Sequence, residues 1–236
     1  TFLISPPPSA NTTYEIFAQS SINGNTCAEI KLVDEAIVTV IETPDNTAAV
    51  SDHDICEGDG TFVITVSPTV ASVSYTLKTQ TGTIVESLNG TDGTLSFSAL
   101  PEPSTSAVYK VTATPVTQDH QGNTCPEIEV LDSSIITFYP APDLTLSIPN
   151  DTICEGNDGV ITIESSEIGI EYQLREDIGD VLVGTPINGD GNNISFPAIT
   201  LTTTTAYEVL AERTSSGCAP IVMTQKPTII VVPSPD

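Results

Sequence analysis

The stretch ICEGDGTFVITVSPTVASVSYTL, residues 55–77, decides the fold, both by its internal pattern and by where its opening returns. Within it, Thr61 to Val66 and Val73 to Leu77 alternate apolar residues with Thr, Ser or Tyr. That period of two is the mark of a strand with one face packed and the other in water. The opening Ile55 to Gly58 recurs as Ile153 to Gly156, 98 residues on. Asn25-Thr26-Cys27 returns at Asn123 to Cys125 with the same 98-residue spacing, and two unrelated strings sharing one period mark an internal repeat.

Other positions fall into the same frame. Tyr75-Thr-Leu77 answers Tyr172-Gln-Leu174, and Leu95-Ser-Phe97 answers Ile194-Ser-Phe196. Tyr14 to Ala18 answers Tyr109 to Ala113 and Tyr207 to Ala211. Each unit closes with an apolar run (Ala36 to Ile41, Ile135 to Tyr139, Thr228 to Val232) and a Pro-Asp pair at Pro44-Asp45, Pro142-Asp143 or Pro235-Asp236. The expected organisation is the C-terminal half of a repeat at 1–45 and full repeats at 46–142 and 143–236. Units of this size match a sandwich of about 100 residues and roughly seven strands. In the second unit, Thr61 to Val66, Val73 to Leu77, Thr94 to Phe97, Tyr109 to Thr114 and Ser134 to Tyr139 read as strands, and no segment demands a helix. The fold class expected is all-β, with tandem sandwiches.

Composition excludes several functions. Thirty-one acidic residues against six basic ones give a net charge of −25, which argues against nucleic acid as a partner. No run approaches the ~18 apolar residues of a membrane span. The chain starts at Thr1 in mid-pattern, with no basic segment leading an apolar one, so its numbering is expected to begin inside a longer protein.

Five cysteines occupy two recurring places, an early one (Cys56, Cys154) and a late one (Cys27, Cys125, Cys218). Regular placement points to structural bridges in an oxidising compartment. Zinc is disfavoured, because CxxC is absent and His53 and His120 are the only histidines. Two pairings satisfy the placement. Bridging within a unit gives Cys56–Cys125 and Cys154–Cys218, with the partner of Cys27 outside the sequence. Bridging across junctions gives Cys27–Cys56 and Cys125–Cys154 and leaves Cys218 over. The first is preferred, because closing most of a domain into one loop stabilises it by roughly 4 kcal/mol in the chain-entropy model.

The sequence I-C-x-G at a unit's opening, Y-x-V/I-x-A, a late Thr-Cys or Gly-Cys, and a Thr- and Val-rich strand ending in Pro resemble the immunoglobulin-like and PKD-like repeats of giant secreted Bacteroidota proteins, gliding-motility adhesins among them. The resemblance covers essentially the whole chain. It implies immunoglobulin-like sandwiches, a signal peptide, a sorting domain read by the type IX secretion system, and display at the cell surface. The antibody subclass is excluded, since there is no Trp and the late cysteine lies 11 to 16 residues beyond Tyr14, Tyr109 or Tyr207.

Catalytic signatures are absent: no GxSxG, HExxH, phosphate-cradling loop or dinucleotide fingerprint occurs. No enzyme is expected. Calcium is the one candidate cofactor, since it takes carboxylate oxygens from flexible loops. Its candidate ligands are Asp52, Asp54, Glu57 and Asp59, their counterparts Asp151, Glu155 and Asp158, and Asp92 and Asp190 in the Asn-Gly loops 89–93 and 188–192. Ordinary turn chemistry accounts for the same loops. Sequons begin at Asn11, Asn89, Asn150 and Asn193, and Asp151-Thr152-Ile153 resembles a Bacteroidota O-glycosylation acceptor with Thr152 as its target. The recurring tyrosines are expected to pack in the sheets. The function expected is that of extracellular stalk repeats in a surface adhesin, whose partners are neighbouring repeats and a surface polysaccharide or cell-surface protein. The alternatives are carbohydrate-binding modules of a secreted enzyme or subunits of a surface filament.

Overall fold

The computed structural model describes residues 3–41, 43–119 and 122–234; His120 and the Pro235-Asp236 pair lie outside them. All its regular elements are strands. The chain falls into two compact units, one of residues 1–50, 65–97 and 110–133, the other of 51–64, 98–109 and 134–236.

In the first unit, Thr12–Ala18 pairs antiparallel with Ile30–Val38, and the register shifts between Glu15 and Phe17. Asn23 and Gly24 take φ of 52° and 80° between the short strands Ser21–Ile22 and Asn25–Thr26, the left-handed pair a tight hairpin turn requires. Phe17, Val33 and Ile37 stand exposed on this two-stranded ribbon.

From Ala49 onward the strands adopt an immunoglobulin arrangement. One sheet has the order Leu95–Pro101, Thr61–Ser67, Ala49–Val50. The other has the order His53–Cys56, Ile128–Tyr139, Ala107–Pro115, Val73–Thr79, Ile84–Asn89. Third, sixth and seventh strands thus share a sheet and first, second and fifth the other, as in the immunoglobulin sandwich, with the fourth added at an edge. The first strand is split between the two sheets: Ala49–Val50 pairs antiparallel with Val66 and Ser67, whereas His53–Cys56 runs parallel to Ile136–Tyr139. Side chains latch the switch. Asp132 accepts the Val50 N–H (2.8 Å), Asp52 accepts the Ile135 N–H (2.6 Å), and the buried Ser134 hydroxyl donates to the Ser51 carbonyl (2.6 Å).

The last repeat has the same plan. Its larger sheet runs Asp151–Cys154, Thr228–Val232, Thr205–Arg213, Ile170–Glu176, Leu182–Asn188, and the first pair is again parallel. Facing it, Thr162–Ile163 pairs with Ile194–Ser195, and Asp158–Gly159 with Ile199–Thr200. Ile161, Ile163, Ile194 and Phe196 from the smaller side meet Ile170, Tyr172, Leu174, Val209 and Ala211 from the larger in one buried cluster. Each such large side chain withdrawn from water stabilises by about 1.5–3 kcal/mol. The expected all-β tandem sandwich is therefore the observed fold. The five expected strands are present with ends moved by a few residues, while the edge strand Ile84–Asn89 and the split first strand add to them.

A repeated corner organises each sandwich. Tyr75 is buried and its hydroxyl accepts the Val70 N–H (3.1 Å); Tyr172, also buried, accepts the Glu167 N–H (3.0 Å), again five residues upstream. Gly90 and Gly189 lie under these corners, where an added Cβ would come within 2.2 Å of the Val70 carbonyl oxygen and 2.1 Å of that of Glu167. Thr69 and Ser166, one residue earlier, bury their hydroxyls and donate to the carbonyls of Gly93 (2.8 Å) and Asn192 (2.7 Å).

Candidate functional site

One group of contacts that joins distant stretches of the sequence lies around Pro140 to Asp143, inside the second compact unit. Cys56 is bonded to Cys218 with a Cα–Cα separation of 5.8 Å, and Cys27, Cys125 and Cys154 are free thiols. This corrects both expected pairings. Within the last repeat, Cys154 pairs with Val232, at the end of a strand whose Ile229 lies opposite Thr205. Cys218 lies beyond Arg213, at the other end of Thr205–Arg213. Eight residues of strand separate those ends by about 27 Å, far beyond the ~7 Å a disulfide spans between Cα atoms. The middle repeat has the same order, since Cys56 pairs with Tyr139, the last residue of a strand that Cys125 precedes. The alternative Cys27–Cys56 and Cys125–Cys154 fails as well, because Cys56 is taken by Cys218 and the other three sulfurs are unbonded. Each sandwich thus carries its early and late cysteines at opposite ends, and the bond formed crosses the junction from an early cysteine to the late cysteine of the following repeat.

Polar contacts surround that bond. The Arg213 Nε–H donates to the Pro140 carbonyl (2.8 Å) and its Nη2 pairs with Glu167 (2.8 Å), whose other carboxylate oxygen accepts the Asp143 N–H (3.0 Å). Glu57 accepts the Ala141 N–H (2.8 Å). Ser216 donates to the Arg213 carbonyl (2.7 Å) and accepts the Cys218 N–H (3.1 Å). Asp143 accepts both the N–H (2.9 Å) and the hydroxyl (2.7 Å) of Thr145, as Asp45 does from Thr47 (2.8 and 2.7 Å). These bonds, the threonine hydroxyl first, hold both aspartates below the usual carboxylate pKa. In the sequence Pro-Asp marks a boundary; the recurring Pro-Asp-x-Thr is the signal for a backbone-capping turn. Arg213 and Glu167 carried no such signal, because Pro115 and Val70 stand at the matching places of the middle repeat.

The carboxylates considered for calcium serve largely as local acceptors. Asp52 and Glu57 hold backbone N–H groups as described, Asp59 accepts from Cys56 (2.9 Å), and Asp54 lies exposed on the strand His53–Cys56. Asp151 takes the N–H groups of Thr152 (2.8 Å) and Val160 (2.9 Å), Glu155 that of Ser234 (3.4 Å), and Asp158 the hydroxyl of Thr200. Asp92 accepts from Ala71 (2.8 Å) and Asp190 from Asn192 (2.9 Å). Among the described residues no three His, Cys, Asp or Glu gather into a group able to hold a metal. Asn11, Asn89, Asn150, Asn193 and Thr152 are exposed. Asn11, Asn150 and Asn193 use their amide oxygens to accept the N–H groups of Val40 (2.7 Å), Thr228 (2.9 Å) and Ser165 (3.0 Å). Tyr75, Tyr172 and Tyr207 are core residues, and Tyr14 and Tyr109 are half-buried in their strands.

All six lysine and arginine side chains are engaged by carboxylates. Among the described residues the densest group is Glu208, held by Arg175 (2.5 Å) and Lys226 (2.6 Å), with Asp177 on the same lysine (2.6 Å). Lys226 first, then Arg175, lowers the Glu208 pKa from 4.5 to about 2. No helix among the described residues is long and apolar enough to cross a membrane.

No protein-family model matches the chain, and no curated protein matches it. Among solved structures it is similar to the titin domains I67–I69 in a Glu-to-Ala variant (9% identity, 95% of this chain and 89% of that one, TM-score 0.46). It is similar also to DIP-gamma IG1+IG2 (13% identity, 78% and 94%, TM-score 0.41) and to Rst D1-D2 (12%, 78% and 97%, TM-score 0.43). Likeness at this level carries no functional argument, and the fold assignment rests on the strand order itself.

Proposed function

We propose that this chain is a run of non-enzymatic, extracellular spacer repeats from a large bacterial surface adhesin, holding a distal binding region away from the cell. The observation that carries the reading is the Cys56–Cys218 bond with the Arg213–Glu167–Asp143 contacts around Pro140 to Asp143. A binding module needs a receptive face. A spacer needs a junction that resists bending, and here one covalent and several polar bonds are spent on the junction. The disulfide agrees with an oxidising exterior, and a charge of −25 keeps such chains apart through self-repulsion. The I-C-x-G and Y-x-V-x-A signatures support a Bacteroidota carrier of the gliding-adhesin kind. Small-angle scattering of the oxidised chain at physiological salt is the test. An elongated particle whose dimensions do not change with added salt is expected; a compact one rejects the spacer reading. Binding to a polysaccharide array would instead move the chain among carbohydrate-binding modules.

A further inference from the structure

The free thiol of Cys154 stands where Cys56 stands, one repeat later. Each ends a four-residue strand that runs parallel to the closing strand of its own repeat, with Cys56 opposite Tyr139 and Cys154 opposite Val232. The backbone beyond each shares two hydrogen bonds. Glu57 N–H donates to the Tyr139 carbonyl and Glu155 N–H to that of Val232, both at 2.9 Å. Asp59 N–H returns to the Cys56 carbonyl and Asn157 N–H to that of Cys154, both at 3.0 Å. The glutamate of each I-C-E-G accepts the N–H two residues past the closing strand, Ala141 for Glu57 and Ser234 for Glu155. The flanking sequence corresponds as well, Tyr139-Pro-Ala-Pro-Asp143 against Val232-Pro-Ser-Pro-Asp236. The settings are not identical, since the Asp59 carboxylate accepts the Cys56 N–H and Asn157 stands in its place after Cys154, but the difference that bears on the sulfurs is that Cys56 has a late cysteine to bond and Cys154 is exposed with its thiol free.

We infer that Cys154 is the attachment point for the late cysteine of the repeat that follows its own in a tandem array. Early cysteine to next late cysteine is then a rule that links every repeat to its successor, a covalent ladder running beside the peptide chain. It assigns a place to all five sulfurs: Cys27 and Cys125 are late cysteines, acceptors for a preceding repeat, and no early cysteine occurs before Cys56 to meet them. The step is a two-electron oxidation. Two thiols give up two protons and two electrons to a disulfide oxidant such as oxidised glutathione, which leaves as two thiols, and one S–S bond forms between the repeats. The inference builds on the spacer reading but can fail independently of it.

The test adds Leu144 to Asp236 a second time after Asp236, which recreates the Pro-Asp-Leu junction. The added copy carries Ile221→Val as a mass mark on its Cys218 peptide and Cys154→Ser to remove its own early cysteine. The chain is refolded in a glutathione redox buffer, alkylated, digested without reduction and mapped by mass. Two linked peptides are expected within a single chain, Cys56 with the unmarked Cys218 peptide and Cys154 with the marked one. The alkylated Cys154 peptide, near complete in the unextended chain, should be lost. An alkylated Cys154 beside an intact Cys56–Cys218 link overturns the inference in a properly folded chain. So does Cys154 joined to the unmarked Cys218, to Cys125, or to a second molecule. Absence of the Cys56–Cys218 link removes its basis. An elongated particle with a free Cys154 would sink the ladder and leave the spacer, whereas the expected links in a compact particle would do the reverse.

Discussion

One hydroxyl oxygen closes each sandwich corner, at Tyr75 and Tyr172. Removing it in Tyr172→Phe keeps the ring in the core and strands the Glu167 N–H, so a loss of about 1–3 kcal/mol is expected; urea unfolding should show a lower midpoint at unchanged slope. Gly189→Ala should do more damage, since its Cβ would lie 2.1 Å from a carbonyl oxygen of the backbone, which cannot yield as a side chain can. Loss of the cooperative transition of the last repeat would be the signature, and a melting temperature within a degree or two of the parent would refute the account. The recurrence of tyrosine made its core position readable in advance. Its hydrogen-bond partner was not readable, because the partner is a backbone N–H carried by Val in one repeat and Glu in the next. The same blind spot made the Asn-Gly loops resemble ion-binding loops. Gly90 and Gly189 in them are required by the close approach of a neighbouring backbone, and nothing in the local sequence reveals that neighbour.

Among the elements, the Ile170–Glu176 and Thr205–Arg213 pair carries the strongest charge arrangement, with Arg175 opposite Glu208 in the register. Glu208 has a folded pKa depressed from 4.5 to about 2, so its contribution is fully present above the unfolded value and is lost as pH falls toward 2. Denaturant midpoints measured between pH 5 and pH 2 should fall for the parent chain, and Glu208→Gln should flatten part of that slope. An unchanged slope in the variant would show that Glu208 does not govern the acid limb. Strand reading from the sequence succeeded where alternation was long, as in Thr61–Ser67 and Ala107–Pro115. It failed at His53–Cys56, where four residues with His and Asp at neighbouring places pair in parallel with a strand about 80 residues away. Short parallel edges are made by tertiary latches such as Asp52 on Ile135 N–H, and periodicity contains no trace of them.

For the molecule as a whole, the Cys56–Cys218 bond closes a separation of 162 residues, worth about 5 kcal/mol in the chain-entropy model. Cys218→Ser should therefore lower the melting temperature of the sandwiches as well as increase cleavage at Pro140 to Asp143 in limited proteolysis. Equal protection with and without the bond would argue against a junction role. Adding Arg213→Ala should deepen the effect, because the remaining hold on the Pro140 carbonyl and Glu167 goes with it. Cysteine spacing pointed to structural bridging, and a disulfide is present. It could not reveal the partner, which depends on early and late positions lying at opposite ends of each sandwich. The bond also sets a route for tension. A pull applied at both termini enters at Cys56, crosses the sulfurs and leaves from Cys218, so the peptide between them is spared the load. Roughly 550 Å of extendable backbone, at about 3.4 Å per residue, would be withheld from stretching until the sulfur link is cut, and a reductant in the surroundings would thereby act as a release for slack.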